Sequence, residues 1–432
     1  MTLSENEYKV LNVLLKNPGL SYTEIAQSLD LSVTSVRNLL FSLMEYSDTN
    51  AIDEDNSPLK SSSSSYVISE KGKRKDSLSF FAKFNYDLLN FERYDFFLKC
   101  SSIKQMQNVK AFCTAHPYTT FRGRVHGGVN GIYVQFLVPN KTLEMLLFSL
   151  ECFKKEHFIE DFKQVVYSYN FSVFSLLKVD VFSVNENKWY FDFDEFKKEF
   201  QQFIKTATFP DLFTRPHDKS ILDQLDSIDI MILSEWGYGA GPRKTKAEIL
   251  HNLTEGEIYK NSVKDLKLNR YIISDHVDSL TKLHIIKHVG IGFDRRKIQI
   301  LTTLFFIGEA KSEFLNAFAN FLATDAFPFE ATLSVGDYNS KENTASYTIW
   351  VSFTAHIVSK FTEFLFENSI RLQTYIVTYN ASDVETYPLY HANFISDSKK
   401  WNDSEDYCLR DPLSNFFDTN KVQTMINDFH KN

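Results

Sequence analysis

The apolar positions of this chain alternate between two periods. Over residues 4–46 they recur every three or four residues: Tyr8, Leu11, Val13, Leu14 and Leu15, then Ile25, Ala26 and Leu29, then Val36, Leu40 and Leu43. That spacing predicts three short amphipathic helices. Their ends are marked too: Ser4-Glu-Asn-Glu7 and Ser21-Tyr-Thr-Glu24 have capping-box form, Asn17-Pro-Gly19 stops the first helix, and Ser32 caps the third. The same register returns far downstream. With Leu268 set over Leu31, Asn269 falls on Ser32, Ile273 on Val36, Val277 on Leu40 and Leu280 on Leu43, and residues 220–236 and 246–266 supply the elements before it. Three helices with one apolar face each are the layout of a helix-turn-helix, whose last helix lies in a DNA major groove.

Elsewhere the period falls to two. Residues 94–100, 118–125, 132–138 and 165–181 read as strands, the last as one long or two shorter ones, with helices at 103–115 and 142–157. The order is βαββαβ, and it recurs over 303–307, 311–324, 330–336, 345–353, 355–368 and 371–379. Residues 47–72, with a serine-rich tip, suit a β-hairpin wing, and 285–292 with 296–301 a shorter second one. The expected fold class is α+β. Winged helix-turn-helix domains occupy 1–77 and 215–300, each followed by a ferredoxin-like domain: 78–214 with a helical extension, and 301–432 with a polar C-terminal tail. The whole is an internal pseudo-dimer in tandem.

Composition changes this picture little. With 43% hydrophobic and 24% charged positions in 432 residues, the chain is an ordinary globular protein of about two to four domains. The 40 phenylalanines imply large aromatic cores. Charge matters more. A net charge of −8 is unlike a typical nucleic-acid binder, so any contact has to be local. Residues 1–48 carry Lys9, Lys16 and Arg37 against Glu5, Glu7, Glu24, Asp30, Glu45 and Asp48, a poor DNA face. Lys71-Gly-Lys-Arg-Lys75 is basic, and so is the second copy, with Arg243, Lys244, Lys246, Lys267, Arg270, Lys287, Arg295 and Arg296 among its cations.

Four widely spaced cysteines, without a C-x-x-C pair, read as free thiols of a reducing cytosol. No apolar run approaches the ~20 residues of a membrane span, and the N-terminus begins a capped helix rather than a signal peptide. The expectation is a cytoplasmic protein with no membrane partner. Gly237-Tyr-Gly-Ala-Gly241 follows no strand and precedes no Gly-Lys-Ser/Thr, so it reads as a helix stop. His284 and His288 stand four apart on a strand, where they do not converge on a metal. No nucleophile elbow, H-E-x-x-H or Ser/His/Asp set is present. No enzyme, no cofactor and no metal are expected.

A winged helix followed by a βαββαβ domain is similar to the leucine-responsive regulator, or feast/famine, family of prokaryotic transcription factors. Leu268-Asn-Arg-Tyr-Ile-Ile-Ser-Asp-His-Val-Asp-Ser-Leu280 and Leu225-Asp-Ser-Ile-Asp-Ile-Met-Ile-Leu233 look like that family's helix-turn-helix. The resemblance implies duplex DNA as the partner, dimerisation through the β domain, and an effector turn between the second and third strands. That turn is loosely echoed by Gly127, Gly128 and Gly131 and by Gly336 and Asp337. Outward positions of the last helices give the candidate readers: Ser32, Thr34, Ser35, Arg37 and Asn38 in the first, and Lys267, Asn269, Arg270, Tyr271 and Ser274 in the second. Arg and Asn make bidentate contacts to guanine and adenine edges. Lys71, Lys73, Arg74, Lys287, Arg295 and Arg296 are candidates for the phosphate backbone. Asp275 and Asp278 in the second helix make the two copies read different sequences. The expected function is a DNA-binding transcriptional regulator with two non-identical recognition helices, a small-molecule effector and self-association being further expectations. The alternative, favoured by the acidity of residues 1–48, is a protein-interaction or small-molecule-sensing scaffold that does not touch DNA.

Overall fold

A computed structural model describes residues 3–431 except 44–78, 128–129, 141, 167–168, 215–217, 238–240, 257, 261, 265, 294, 378–383 and 388. The first predicted wing, with Lys71, Lys73 and Arg74, lies outside the described residues, as does Gly128.

The chain opens with α1 (Glu5–Lys16), α2 (Tyr22–Leu29) and α3 (Val33–Ser42). Both capping boxes form: Ser4 and Glu7 bond each other's backbone N–H, as do Ser21 and Glu24. Then come β1 (Ser79–Phe84), β2 (Phe91–Lys99), α4 (Ile103–Ala115), β3 (Thr119–His126), β4 (Gly131–Pro139), α5 (Leu143–Lys155), β5 (Asp161–Val166) and β6 (Tyr169–Ser175). A two-rung hairpin, β7 (Phe182–Ser183) and β8 (Lys188–Trp189), leads to α6 (Phe193–Thr206). The next helices are α7 (Ser227–Trp236), α8 (Lys246–Glu255) and α9 (Arg270–Lys282). After them run β9 (Ile286–Gly292), β10 (Thr302–Lys311), α10 (Ser312–Leu322), β11 (Ala331–Asn339), β12 (Thr344–Phe353), α11 (Ala355–Asn368) and β13 (Ser369–Val377). Short pieces close the chain: β14 (Val384–Thr386), the hairpin β15 (Phe394–Ile395) and β16 (Lys400–Trp401), α12 (Asp411–Ser414) and α13 (Thr419–Phe429).

One antiparallel sheet organises the molecule, in the order β5-β2-β4-β3-β13-β10-β12-β11-β6, with β14 added beside β3. Each βαββαβ run lays its strands in the spatial order fourth, first, third, second: β5-β2-β4-β3, then β13-β10-β12-β11. The two runs join where Ile376 and Val377 meet His126 and Val125. The stretch expected to hold one or two strands splits, and β6 leaves its own run to pair with β11 at the far end. Because β5 also comes close to β11 and β12, the sheet curls and encloses Phe97, Tyr133, Phe305 and Tyr375.

The second predicted wing is corrected. β9 pairs not with residues 296–301 but with β1, from Ser79 against Gly292 to Phe84 against Ile286. Arg295–Ile298 is a 3-10 turn. β1 offers β9 a full-length antiparallel partner, which the short segment after it does not.

Packing is crossed along the sequence. α1 to α3 bury Val10, Leu11, Leu14, Ile25, Val36 and Leu40 in the same core as Ile298, Phe306 and Phe318, in the C-terminal half. α7 to α9 bury Ile230, Ile249, Ile273 and Leu280 with Phe96, Phe112 and Phe136, in the N-terminal half. The two tryptophan hairpins follow suit. Trp189 donates its indole N–H to the Ile298 carbonyl just before β10, and Trp401 donates to the Leu89 carbonyl just before β2. A buried indole needs such an acceptor. Among the described residues no helix is long and apolar enough to cross a membrane.

Candidate nucleic-acid interface

α3 is held down on one side and open on the other. Val36 and Leu40 are buried against α1 and α2, while Thr34, Arg37 and Asn38 are exposed and Phe41 keeps 60% of its surface accessible. Ser32 is the N-cap, accepting from Ser35 N–H at 3.0 Å, and its hydroxyl lies 2.8 Å from that of Ser35. These two serines therefore start the helix, which leaves Thr34, Arg37 and Asn38 as its outward polar groups.

One carboxylate of this region is taken up inside. Glu7 is buried, and its Oε1 accepts from Lys297 Nζ at 2.9 Å and from the Ser42 hydroxyl at 2.6 Å. Burial alone would raise its pKa, but hydrogen bonds from Ser42, Ser4 and Lys297 outweigh it and hold the carboxyl at about 2. Glu24 joins its capping box and Glu5 lies 2.8 Å from Lys9, both remaining exposed as Asp30 does, while Lys16 reaches out of the region to Asp180 at 2.7 Å. A cation that the sequence sets with the second copy packs beneath this face. Arg243, from the 3-10 turn Gly241–Arg243, places its guanidinium 4.5 Å from the Phe80 ring centroid and 5.2 Å from that of Tyr22 and donates to the Leu20 carbonyl, while Arg37 sits 5.7 Å from the Tyr22 ring. An arginine on an aromatic face is a standard stacking contact. No local pattern could show it, since Arg243 lies more than 200 residues from Tyr22.

α9 presents a different surface. Asn269 caps it, accepting from the N–H groups of Tyr271 and Ile272 at 2.9 and 3.1 Å. Arg270 is exposed, Tyr271 is 84% exposed, and Lys267 and Lys287 are exposed as well. Ser274 is engaged: Lys246 Nζ donates to its hydroxyl at 2.7 Å and to Asp278 at 2.8 Å. That cation neutralises Asp278, so Asp275 is the acid of the pair left outward.

Arg295 is reassigned. Its guanidinium is mostly buried, donating to Ser352 Oγ at 3.0 Å and pairing with Glu330, so it ties the chain after β9 to the sheet rather than reaching for phosphate. Arg296 is exposed. The expected effector glycines are used for close packing. A Cβ on Gly131 would lie 2.3 Å from the Leu98 carbonyl oxygen, and one on Gly127 would lie 2.9 Å from Tyr375. Gly336 is buried within β11, and Asp337, with φ 53°, sits in an irregularity of that strand rather than in a turn. The two sets are therefore not one kind of turn.

His284 lies before β9 with φ 50°, and His288 is on β9 against Phe174, so the two do not act together. A different group could ligate a metal ion: Asp226, Asp229 and His276, whose ligand atoms lie within 4.8 Å of one another. The two aspartates form the capping box of α7, and His276 Nδ1 lies 2.7 Å from Asp229 Oδ1, which locks α9 onto α7. A second polar group hidden from the sequence is inside the sheet. Asp95, fully buried, takes Arg93 Nε and Nη2 at 2.9 and 2.7 Å and the Tyr133 hydroxyl.

Comparison with known proteins bears on both ends of this picture. Residues 3–46 match the family described as winged helix-turn-helix DNA-binding. No curated protein matches the chain. Two solved structures are similar in fold over nearly the whole chain. The crystal structure of the siroheme decarboxylase NirDL is 9% identical, covers 99% of this chain and 100% of its own, and superposes with a TM-score of 0.48. The same decarboxylase in complex with an iron-uroporphyrin III analogue is 10% identical, covers 95% and 99%, and gives 0.47. The expectation that the chain is not an enzyme is withdrawn: the solved structures to which it is similar are both of one enzyme, a decarboxylase.

Proposed function

We propose that the chain is a duplex-DNA-binding regulator of transcription that reads its site with α3. One observation carries the reading: α3 is fixed on its apolar side by α1 and α2 and offers Thr34, Arg37 and Asn38 outward, within the stretch that matches a DNA-binding family. The burial of Glu7 against Lys297 takes one carboxylate off the surface and weakens the objection from acidity. This also disfavours the scaffold alternative.

The finer reading is a tandem duplication. Two ferredoxin-like βαββαβ units, each with a winged helix in front, form a pseudo-dimer within one chain, and α9 is the second recognition helix. Equal strand orders in the two runs, the β1–β9 ribbon between them and the matching tryptophan hairpins support it. α9 exposes Arg270 and Tyr271 at the places of Val33 and Thr34 and carries Ser274 and Asp275 at those of Arg37 and Asn38, which fits two unlike half-sites about 34 Å apart.

The test is fluorescence anisotropy of the full chain on random duplex at about 50 and 200 mM salt. Binding should weaken steeply with salt, and Arg37→Ala should weaken it at the lower salt and reduce the salt slope by about 1. Arg270→Ala should have a similar effect if α9 reads DNA as well. Absence of binding at the lower salt, or an Arg37→Ala variant that binds like the native chain, refutes the proposal.

A further inference from the structure

Four carboxylates are buried among the described residues: Glu7, Asp95, Asp229 and Glu235. A lysine or arginine answers three of them, Lys297 at Glu7, Arg93 at Asp95 and Lys244 at Glu235. Asp229 is the exception. Its partner is His276, whose Nδ1 lies 2.7 Å from Asp229 Oδ1 and 3.8 Å from Asp226 Oδ1, and the charge beside it is a second carboxylate, Asp226. Buried charges are paired or bind metal ions, and two carboxylates that share one imidazole leave at least one negative charge unanswered. Burial raises the Asp229 pKa, with the His276 hydrogen bond opposing it.

We infer that Asp226, Asp229 and His276 form a binding site for a zinc-like divalent metal ion, which ties α9 to the start of α7. Each carboxylate spends one oxygen on the capping box: Asp226 Oδ1 accepts from the N–H groups of Ile228 and Asp229, and Asp229 Oδ2 from that of Asp226. Asp226 Oδ2 and Asp229 Oδ1 remain for an ion. The ligand atoms of the three residues lie within 4.8 Å of one another. Zinc at about 2.1 Å from each ligand holds them about 3.4 Å apart, so the pair at 2.7 Å opens a little and the wider separations close. Asp226, with 48% of its side chain exposed, has room to turn and gives the ion a way in from solvent, whose water fills the remaining ligand positions. The ion takes the place of the proton between His276 Nδ1 and Asp229 Oδ1, and the ring keeps its hydrogen on Nε2. An imidazole with two carboxylates suits zinc better than magnesium or calcium, which prefer oxygen alone. The half charge at the N-terminus of α7 opposes a cation but is outweighed by the two carboxylates. The site stands apart from α3, and its occupancy does not depend on DNA binding.

Isothermal titration of the full chain, dialysed against chelator and then against plain buffer, tests this with zinc chloride and with magnesium chloride. Zinc should bind saturably, and magnesium about a hundredfold or more weaker. His276→Gln should weaken zinc about tenfold or more. Asp226→Asn should do the same while keeping a good N-cap, which guards against a variant that fails to fold. Zinc should also raise the urea midpoint of the native chain and not that of Asp226→Asn. The proposal is overturned if zinc gives no saturable heat up to about 100 μM, if magnesium binds as tightly, or if the folded variants both bind zinc at native strength, which leaves Asp229 and His276 a plain hydrogen-bonded pair.

Discussion

The contact between Lys297 and Glu7 bridges 290 positions of sequence and fastens the first three helices to the C-terminal half. Both side chains are more than nine-tenths buried, at 9% and 8% exposure. Lys297 also donates to the carbonyl of Ser42, the last residue of α3. Replacing it with Met keeps most of the stem but strands a carboxylate in the interior. Removing one partner of a buried pair costs about 3–5 kcal/mol. The carboxyl itself gives a second measure. Its pKa falls from 4.5 to about 2, and at about 1.36 kcal/mol per unit that is an upper bound of about 3.4 kcal/mol. Ser42 and Ser4 rank ahead of Lys297 in lowering it and remain in the variant. Lys297→Met should therefore fall at the low end, about 3 kcal/mol.

The pH dependence has a definite sign. A carboxyl whose folded pKa is depressed stabilises fully above its unfolded value, and the gain is lost as pH falls through the folded one. For Glu7 that window runs from about 4.5 down to about 2. Urea unfolding followed by tryptophan fluorescence reads it, since Trp189 bonds the carbonyl of Ile298, the neighbour of Lys297. The native chain should lose stability as pH drops through the window. Glu7→Gln should lose about 3 kcal/mol less there, and Glu7→Gln combined with Lys297→Met should recover much of the single-variant cost at pH 7. A Lys297→Met cost below about 1 kcal/mol, the range of an exposed pair, or an unchanged acid loss in Glu7→Gln, would refute the clamp.

Two further changes test the fold. Gly241 has φ 54°, and a Cβ there would stand 2.5 Å from the Phe80 carbonyl oxygen, so Gly241→Ala should cost more than the about 1–2 kcal/mol of the left-handed conformation alone, read as a lower urea midpoint. Trp401→Phe removes the indole N–H and leaves the Leu89 carbonyl without that donor, for about 1–3 kcal/mol, and native-state hydrogen exchange should report the loosening in β2 and not in β10.

What the sequence disclosed is what local chemistry decides. The capping boxes at Ser4 and Ser21, the Asn269 cap and the two βαββαβ runs were legible because period and turn residues act over a few positions. The second wing was not. The partner of β9 is β1, and a strand pattern does not say which of several strands it will pair with. Arg295 was misread for a related reason: a basic pair in a loop looks like a phosphate contact until Glu330 and Ser352 are seen beside it. A search for linear catalytic motifs likewise misses any site gathered from separate strands, as Arg93, Asp95 and Tyr133 are. A usable signal did go unread. Lys188-Trp189 and Lys400-Trp401 occupy corresponding hairpins, which extends the likeness of the two halves into the tail.

Crossed packing changes what a variant far from α3 can do. A winged helix followed by its own β domain could be cut off and still present its recognition helix. Here α1 shares a core with β10 and α10, and α3 ends on a lysine that lies beyond β9. The orientation of α3 thus depends on residues near 297, and that of α9 on Trp236 and the N-terminal half of the sheet. Residues 1–43 alone would expose Val10, Leu14 and the carboxylate of Glu7 to water, losing the surface that fixes them. An isolated N-terminal fragment should therefore bind duplex far more weakly than the full chain even with Thr34, Arg37 and Asn38 intact. Equal affinity would mean that the scaffold does not set the pose of the helix.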